Sequence, residues 1–374
     1  MNQAPTATNL PFTGGIIGYL SYDFSQRIQH LKPAFTTNGP HAQDDAYIGL
    51  YDWALVTDHL AHTSQLVFHS SVTPKRRQEI IVLFEENHRI QQESFKLIEP
   101  FKADITPTEY HQSIDKIQKY IKAGDCYQVN FAQRFSAKYT GCLWSAYKQL
   151  RKTSAAPFSS YQSFSKNCTI LSLSPERFLK VSNKHVETRP IKGTCPRGVN
   201  KKHDLEQKKT LVNSKKDRAE NLMIVDLLRN DLSRICQIGS IKTPELFRLE
   251  SYSNVHHLVS IINGLLPQQK DPLDLLISCF PGGSITGAPK IRAMQIIQEL
   301  EHSPRDIYCG SVFYLDTRGN MDSSITIRTL FSKEEVLYCW GGGGIIHDSL
   351  ANTEYAESLT KITMLLRTLD PSYP

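Results

Sequence analysis

Val186-Glu187-Thr188-Arg189-Pro190-Ile191-Lys192-Gly193-Thr194-Cys195-Pro196-Arg197 is the stretch on which the reading of this chain turns. Val186 to Arg189 reads as the end of a strand. Pro190 has no backbone N–H to donate, so ladder pairing stops there. Gly193 lets the backbone turn and lets a ligand come close. Lys192 is then left at a strand end with little bulk beside it, a setting suited to holding a reactive amine. A surface lysine on a turn would look the same from this stretch alone, so the rest of the chain has to decide.

The chain has 374 residues, 40% hydrophobic and 21% charged. That suffices for one large domain or two ordinary ones with a full core. The formal charge of +6 is mild and dispersed, which argues weakly for anionic ligands and against nucleic acid. The densest basic run, Lys201, Lys202, Lys208 and Lys209, is broken by Asp204 and Glu206 and reads as a solvated polar loop. Eight cysteines show no CxxC pair and no metal-ligand spacing, as expected of a reducing cytoplasm. Met1–Leu10 has neither a basic nor an apolar leader pattern, and no apolar run approaches the ~20 residues of a membrane span. Neither secretion nor membrane insertion is expected.

Phe12–Leu20 is Gly-rich and apolar and reads as a strand. Thr36–Asp45 reads as a loop, and Tyr47–Thr57 with Leu66–Ser70 as a hairpin. His59 and His62 near its turn lack a third ligand and read as solvated. Pro74 to about Gln92 reads as a helix. Leu97–Ile105 is a joint between an N-terminal subdomain, 1–105, and a region 106–374, expected to form one intertwined domain. Thr106, Pro107 and Glu109 form a capping box ahead of Tyr110, Ile114, Ile117 and Ile121, and Gly124 ends that helix. Tyr127–Phe135 alternates as a strand. Leu143–Lys152 reads as a helix, with strands near Ser159–Phe164 and Thr169–Leu173. Ser174–Phe178 leads into a strand ending at Lys192, and Lys208–Asn230 reads as one long helix. Many antiparallel strands with helices outside predict a layered α+β fold, not a doubly wound parallel sheet.

Several groups of residues can carry chemistry. Asp217 and Glu220 share a helix face, and Glu354 and Glu357 repeat the spacing near the C-terminus. Two such pairs converging across a cleft would repel unless a cation sat between them, and all-oxygen ligands suit Mg²⁺. Two solvated acidic faces are the alternative. Phe280–Lys290 is a Gly-rich loop entering a helix at Pro289, an anion site in principle, with neither Walker nor dinucleotide spacing. Gly341–Gly344 offers bare backbone that could form a nest for a carboxylate or let a ligand approach closely, an awkward turn being the alternative. Ser324–Arg328 reads as a strand that places one arginine, Arg328, among apolar neighbours, and a half-buried arginine would want a planar anion such as a carboxylate. His256 and His257 alternate in a strand, one ring inward and one outward.

Seven motifs then occur in one order: SPERF (Ser174–Phe178), RPIKGT (Arg189–Thr194), KDRAENLMIVDLLRNDLSR (Lys216–Arg234), VHHLVS (Val255–Ser260), PGGSITGAPKIRAM (Pro281–Met294), GNMDSSITIRT (Gly319–Thr329) and GGGIIHDS with EYAES (Gly342–Ser358). That order resembles the chorismate-utilising enzymes, the family of anthranilate, isochorismate, salicylate and aminodeoxychorismate synthases. The resemblance spans about residues 106–374, and less fully 10–60. It implies their sandwich-like core of antiparallel sheets with helices outside. Lys192 in PIKGT implies the aminodeoxychorismate synthase branch, since anthranilate synthases usually carry alanine there. By this resemblance Lys192 attacks ring C2 of chorismate as the C4 hydroxyl leaves, and ammonia adds at C4 and expels Lys192. A lysine nucleophile must first lose its proton, which neighbouring cations favour. The resemblance makes Glu176 the acid/base for the hydroxyl and puts His257 beside the ring. It makes Glu220 and Glu357 ligands of Mg²⁺, supported by Asp217 and Glu354. It sets Arg328, Tyr308 and the backbone of Gly341, Gly342 and Gly343 at the enolpyruvyl carboxylate, with Ser284, Thr286, Gly193 and Thr194 lining the pocket. Members usually carry a further N-terminal segment that helps form a tryptophan pocket. No Cys-His-Glu glutaminase segment is present, so the resemblance implies ammonia from solution or from a separate glutamine amidotransferase subunit. Anthranilate synthase component I is the enzyme alternative. A truncated, non-catalytic chain that binds ligand or partner is the alternative of another class.

Overall fold

The computed structural model describes residues 9–32, 45–86, 93–165, 168–252 and 255–373. The α+β architecture expected from the sequence is present, and every strand pairing among these residues is antiparallel.

The chain opens with β1 (Gly15–Leu20) and a short α1 (Phe24–Ile28). β2 (Ala46–Tyr51) and β3 (Trp53–Asp58) follow, where one strand over Tyr47–Thr57 was expected. The ladder changes hands at Asp52: β2 pairs with β1, and β3 forms the hairpin with β4 (Thr63–Phe68). α2 (Pro74–Glu85) starts at Pro74, capped by Thr73. The remainder of the expected helix, 87–92, and nearly all of the expected loop 36–45 lie outside the described residues. The joint contains two short strands, β5 (Lys96–Leu97) and β6 (Lys102–Ala103), both paired with the later β7. α3 (Pro107–Lys122) carries the capping box read from Thr106 and Glu109.

β7 (Gln128–Thr140), α4 (Leu143–Thr153), β8 (Phe158–Ser165) and β9 (Cys168–Ser174) come next. The single strand expected from Ser174 to Lys192 is three: β10 (Arg177–Ser182), β11 (His185–Thr188) and β12 (Ile191–Pro196). Pro190 does interrupt the ladder, but β12 resumes it. The single helix expected over Lys208–Asn230 is also divided. α5 (Lys201–Asn213) and α6 (Lys215–Ser233) meet at Ser214, whose hydroxyl caps α6 by accepting from the Asp217 N–H. The basic run read as a loop is thus the start of α5, capped by Asn200. β13 (Lys242–Ser251), β14 (Val255–Leu265), α7 (Pro272–Cys279), β15 (Gly287–Ala288) and α8 (Lys290–Leu300) lead to β16 (Ser311–Asp316), β17 (Met321–Ile325), β18 (Thr329–Lys333), β19 (Val336–Ile345) and α9 (Ala351–Leu369).

One sheet runs β12-β14-β11-β10-β17-β16-β1-β2, with β13 also on β14; a second runs β15-β7-β19-β18-β9-β8. Strands from before residue 105 therefore enter both sheets. The largest core lies between the sheets, where Phe178, Val186, Ile262 and Phe313 of the first join Ile170, Phe331 and Trp340 of the second. α6 contributes Ile224, Val225 and Leu228 to it. α3 and α8 close over β7 through Ile114, Ile117, Phe131, Ile296 and Ile297. α4 and α9 cover another part of the second sheet through Leu150, Leu171, Leu330, Ile362 and Leu366. Burying such apolar faces at about 25 cal/mol per Å² is what holds the layers together. All eight cysteines are free thiols. Among the described residues no helix is long and apolar enough to cross a membrane.

Candidate active site

Lys192 lies inside β12, not on a turn past a strand end. The ladder between β12 and β14 shifts register between Ile191 and Thr194, leaving Lys192 and Gly193 as a bulge. A bulge bends the strand and re-aims a side chain. Gly193 has φ +86°, and a Cβ there would sit 3.0 Å from both Asp217 Cβ and Leu211 Cδ1. Glycine is thus required twice over, by conformation and by the closeness of α5 and α6. The Lys192 Nζ donates to the Ser284 carbonyl at 3.5 Å.

Glu176 is buried beside this amine. Burial pushes its carboxyl up to about 7, opposed by the Lys192 ammonium and by hydrogen bonds from the Ser284 hydroxyl and the Ile191 N–H. A carboxyl with that value can hold or release a proton near neutrality. Its backbone is fixed by Ser174, whose hydroxyl accepts from the Glu176 N–H at 3.2 Å and donates to the Ile325 carbonyl at 2.5 Å. Arg177 forks onto Asp322 at 3.0 and 3.1 Å and reaches Glu187 at 2.9 Å. SPERF is therefore a clamp between strands that leaves one carboxyl turned to the lysine.

The Gly-rich segment contains a single 3₁₀ turn, Gly283–Ile285, before β15. Thr286 is fully buried and its hydroxyl is spent on the Gly282 carbonyl at 3.1 Å. At the start of α8 the Lys290 Nζ turns inward, donating to Asp231 at 2.7 Å and to the Cys279 carbonyl at 3.1 Å. Gly341–Gly344 is a strand interior, not a loop nest, because these residues pair with β7 from Gln133 to Asn130. Bare backbone matters most at Gly343, where a Cβ would lie 3.4 Å from Glu354 Oε2 and Lys361 Nζ and 3.6 Å from Glu357 Oε1.

Arg328 lies past the end of β17 at Ile325, outside the strand expected over Ser324–Arg328, with φ +53°. Its half-buried guanidinium has no hydrogen bond or ion pair among the described residues. Burial lowers its pKa, countered by Tyr308, Cys339 and Glu357. An unpaired guanidinium in such surroundings is a place for a carboxylate. Tyr308 is buried and stacks on Trp340 with centroids 5.9 Å apart. His257 sits opposite Thr194 in register, and its Nδ1 and the Thr194 hydroxyl are 2.8 Å apart. Burial lowers the His257 pKa, Glu250 raises it and Arg328 lowers it further. His256 is the inward ring, held between Asp204 at 2.9 Å and Ser251 at 2.8 Å.

The two acidic pairs stand on α6 and α9. Glu220 is raised by burial, with Lys192 and Lys216 opposing and Asp217 and Glu357 adding. Glu354 is buried, accepts from the Ser349 hydroxyl at 2.6 Å, and is raised by burial. Burial also raises Glu357, but Lys361 at 2.7 Å, with Lys216 and Lys192, holds it below the ordinary carboxyl value. Among the described residues no three His, Cys, Asp or Glu side chains converge on one point. The chemistry of the donors nonetheless fits Mg²⁺: carboxylates only, from α6 and α9, with Glu357 close enough to act on Glu220 and lysines beside both.

Two residues without a role in the sequence reading belong here. Lys361 donates to the Gly342 carbonyl at 2.9 Å and to Glu357, and interacts with Lys192 and Arg328. Its signal was available, since Lys361 lies four residues after Glu357 on the same helix face. Gln128 is buried at the head of β7 with both amide atoms unpartnered, against Gly344. No local signal separates it from other strand polar residues.

This fold is that of a known class. The chain matches the chorismate binding enzyme family over residues 1–367, and it belongs to that family. It is similar to aminodeoxychorismate synthase component 1 of Escherichia coli (strain K12), 46% identical over 362 residues, covering 97% of this chain and 78% of that one. It is also similar to anthranilate synthase component 1 of Bacillus subtilis (strain 168), at 34% over 96% of this chain and 74% of that one. Among solved structures, anthranilate synthase component I of Streptococcus pneumoniae TIGR4 superposes with a TM-score of 0.85 at 30% identity, over 98% of this chain and 83% of that one.

Proposed function

We propose that the chain is the chorismate-aminating component of an aminodeoxychorismate synthase, converting chorismate and ammonia to 4-amino-4-deoxychorismate for p-aminobenzoate and folate synthesis. The observation that carries this reading is Lys192, set at the β12 bulge between Glu176, Ser284 and the acidic helices. The likeness to the Escherichia coli component 1 supports it.

In this reading the neutral Lys192 amine adds to ring C2 while the C4–O bond breaks. Glu176, in its protonated form, gives its proton to the departing hydroxyl, which leaves as water. The resulting carboxylate can take up the proton released from the alkylated Lys192 nitrogen. Ammonia then forms the new bond at C4 while the C2–N bond breaks with its electron pair returning to Lys192. Glu176 gives its proton to that nitrogen, so the amine leaves neutral, and the C4 ammonium then returns a proton to Glu176. Arg328 would pair with the enolpyruvyl carboxylate, and His257 would stand beside the ring. Glu220 and Glu357, with Asp217 and Glu354 behind them, would hold Mg²⁺. That ion, when bound, would neutralise the ring carboxylate and orient it. A glutaminase subunit is the proposed ammonia source, and the eight free thiols support a reducing, cytoplasmic setting.

The test is a product assay with chorismate, Mg²⁺ and an ammonium salt, read by mass. An aminodeoxychorismate mass without pyruvate is expected. Anthranilate with pyruvate would move the chain to the other branch. No product, with ammonium salt or with an added glutaminase subunit, would overturn the reading.

A further inference from the structure

Arg305 is a buried cation that takes no part in the steps above. It is 1% exposed, and each nitrogen of its guanidinium donates to a neighbour, in four hydrogen bonds. Nε donates to Glu301 Oε2 at 2.8 Å, and Nη2 to Glu301 Oε1 at 2.7 Å. Nη1 donates to the Ile285 carbonyl at 3.0 Å, and Nη2 to the Asn130 carbonyl at 2.5 Å. The ring of Tyr22 lies 4.6 Å from its central carbon and that of Tyr308 lies 5.8 Å away. Glu301 is tied to β7 in turn, accepting from the Ala132 N–H at 2.9 Å.

A buried ion pair is weak evidence for stability, because apolar residues of equal volume often serve as well. What this pair does is geometric. The Ile285 carbonyl receives Arg305 from one side and the Asn130 amide from the other, at 3.0 Å. Thr286 is pinned next, its carbonyl accepting from the Asn130 N–H at 2.8 Å. Ser284 is the adjacent residue, and among the described residues its carbonyl and hydroxyl meet only Lys192 and Glu176.

We propose that Arg305 is a positioning residue: through the Ile285 carbonyl it sets the Ser284 carbonyl and hydroxyl against Lys192 and Glu176. The planar fork is what the task needs, since an ammonium cannot reach Glu301, Ile285 and Asn130 together. The inference rests on the proposed function only for its effect on turnover.

The experiment compares the full-length parent with Arg305→Lys. Lys192 acylation by an N-hydroxysuccinimide acetate is mapped by mass spectrometry against Lys216 as internal reference. Hydrogen exchange is followed over residues 282–288, and turnover alongside. With the cooperative melt retained, exchange in that loop should rise about tenfold or more. Lys192 acylation should rise severalfold relative to Lys216. In an active parent, kcat should fall about a hundredfold with the chorismate KM nearly unchanged, the cost of a misplaced reacting group. Unchanged acylation and loop exchange would overturn the proposal. A parent that makes no aminated product would sink the functional reading alone, because acylation and exchange still decide this one. If Arg305→Lys fails to fold, Asn130→Asp perturbs the same carbonyl from the opposite side, and the same two readouts apply.

Discussion

Replacing Glu176 with glutamine should stabilise the protein in alkaline solution while removing its chemistry. The carboxyl sits almost out of contact with water, and burial pushes it up to about 7 from an ordinary value of 4.5. Because the folded value is the higher one, the native state still holds a proton that the unfolded chain has lost between those values. Stability therefore falls as pH rises through that window, and the full cost is present above about pH 8. A shift of about 2.5 units at 1.36 kcal/mol each gives at most about 3 kcal/mol. Glutamine keeps the shape and can accept from the Ser284 hydroxyl and the Ile191 N–H, but it carries no charge to bury. Urea unfolding of parent and Glu176→Gln at about pH 5 and about pH 8.5 isolates the difference. The two should be nearly equal in acid, and the variant should be more stable by about 1–3 kcal/mol in base. Turnover should move the other way, falling about 10²–10⁴-fold with loss of the proton donor. A variant less stable than its parent at the higher pH would refute the reasoning, as would a gain that is the same at both.

Lys192→Ala should abolish ammonia-dependent amination while the melt stays cooperative; near-normal turnover would remove the covalent role. Gly193→Ala should cost about 1–2 kcal/mol from its left-handed backbone, seen in urea unfolding, and more if Asp217 cannot give way. Lys290→Met strands Asp231 as an unpaired buried charge and should cost about 3–5 kcal/mol, most of it recovered in the double variant with Asp231→Leu. Arg328→Leu should raise the chorismate KM by about tenfold to a hundredfold, matching a lost charge-assisted bond of about 1.5–3 kcal/mol; an unchanged KM would take the carboxylate away from that residue.

The parts of the fold that were legible in the sequence are those decided within one helical turn or one strand. The capping box at Thr106 and Glu109 and the strand after Tyr127 are local signals, and the structure has both, although Gln128–Gln133 is buried on both faces where alternation predicted one. The errors came where partners distant in sequence decide. The break in Lys208–Asn230 is an exception, an error over a local signal: helical residues run throughout, but the Ser214 hydroxyl accepts from the Asp217 N–H three residues on and divides the helix there. Gly341–Gly344 looked like a nest because four bare residues suit a loop; pairing with Gln133 to Asn130 makes them strand interior instead. The reading of Lys192 failed in the same way. A tight turn and a bulge both want glycine at positive φ, so Lys192-Gly193 is one sequence with two structures. What separates them is β14, about which Arg189–Arg197 holds no information. The difference has a chemical consequence. A lysine on a terminal turn is fixed on one side, whereas a lysine on a bulge is held by ladder pairs before and after it, Ile191↔Val259 and Thr194↔His257. The pair that ends the bulge joins Thr194 to the histidine beside the cleft. The strand that holds the amine therefore also sets the ring, and any change that slips β12 against β14 should move both together.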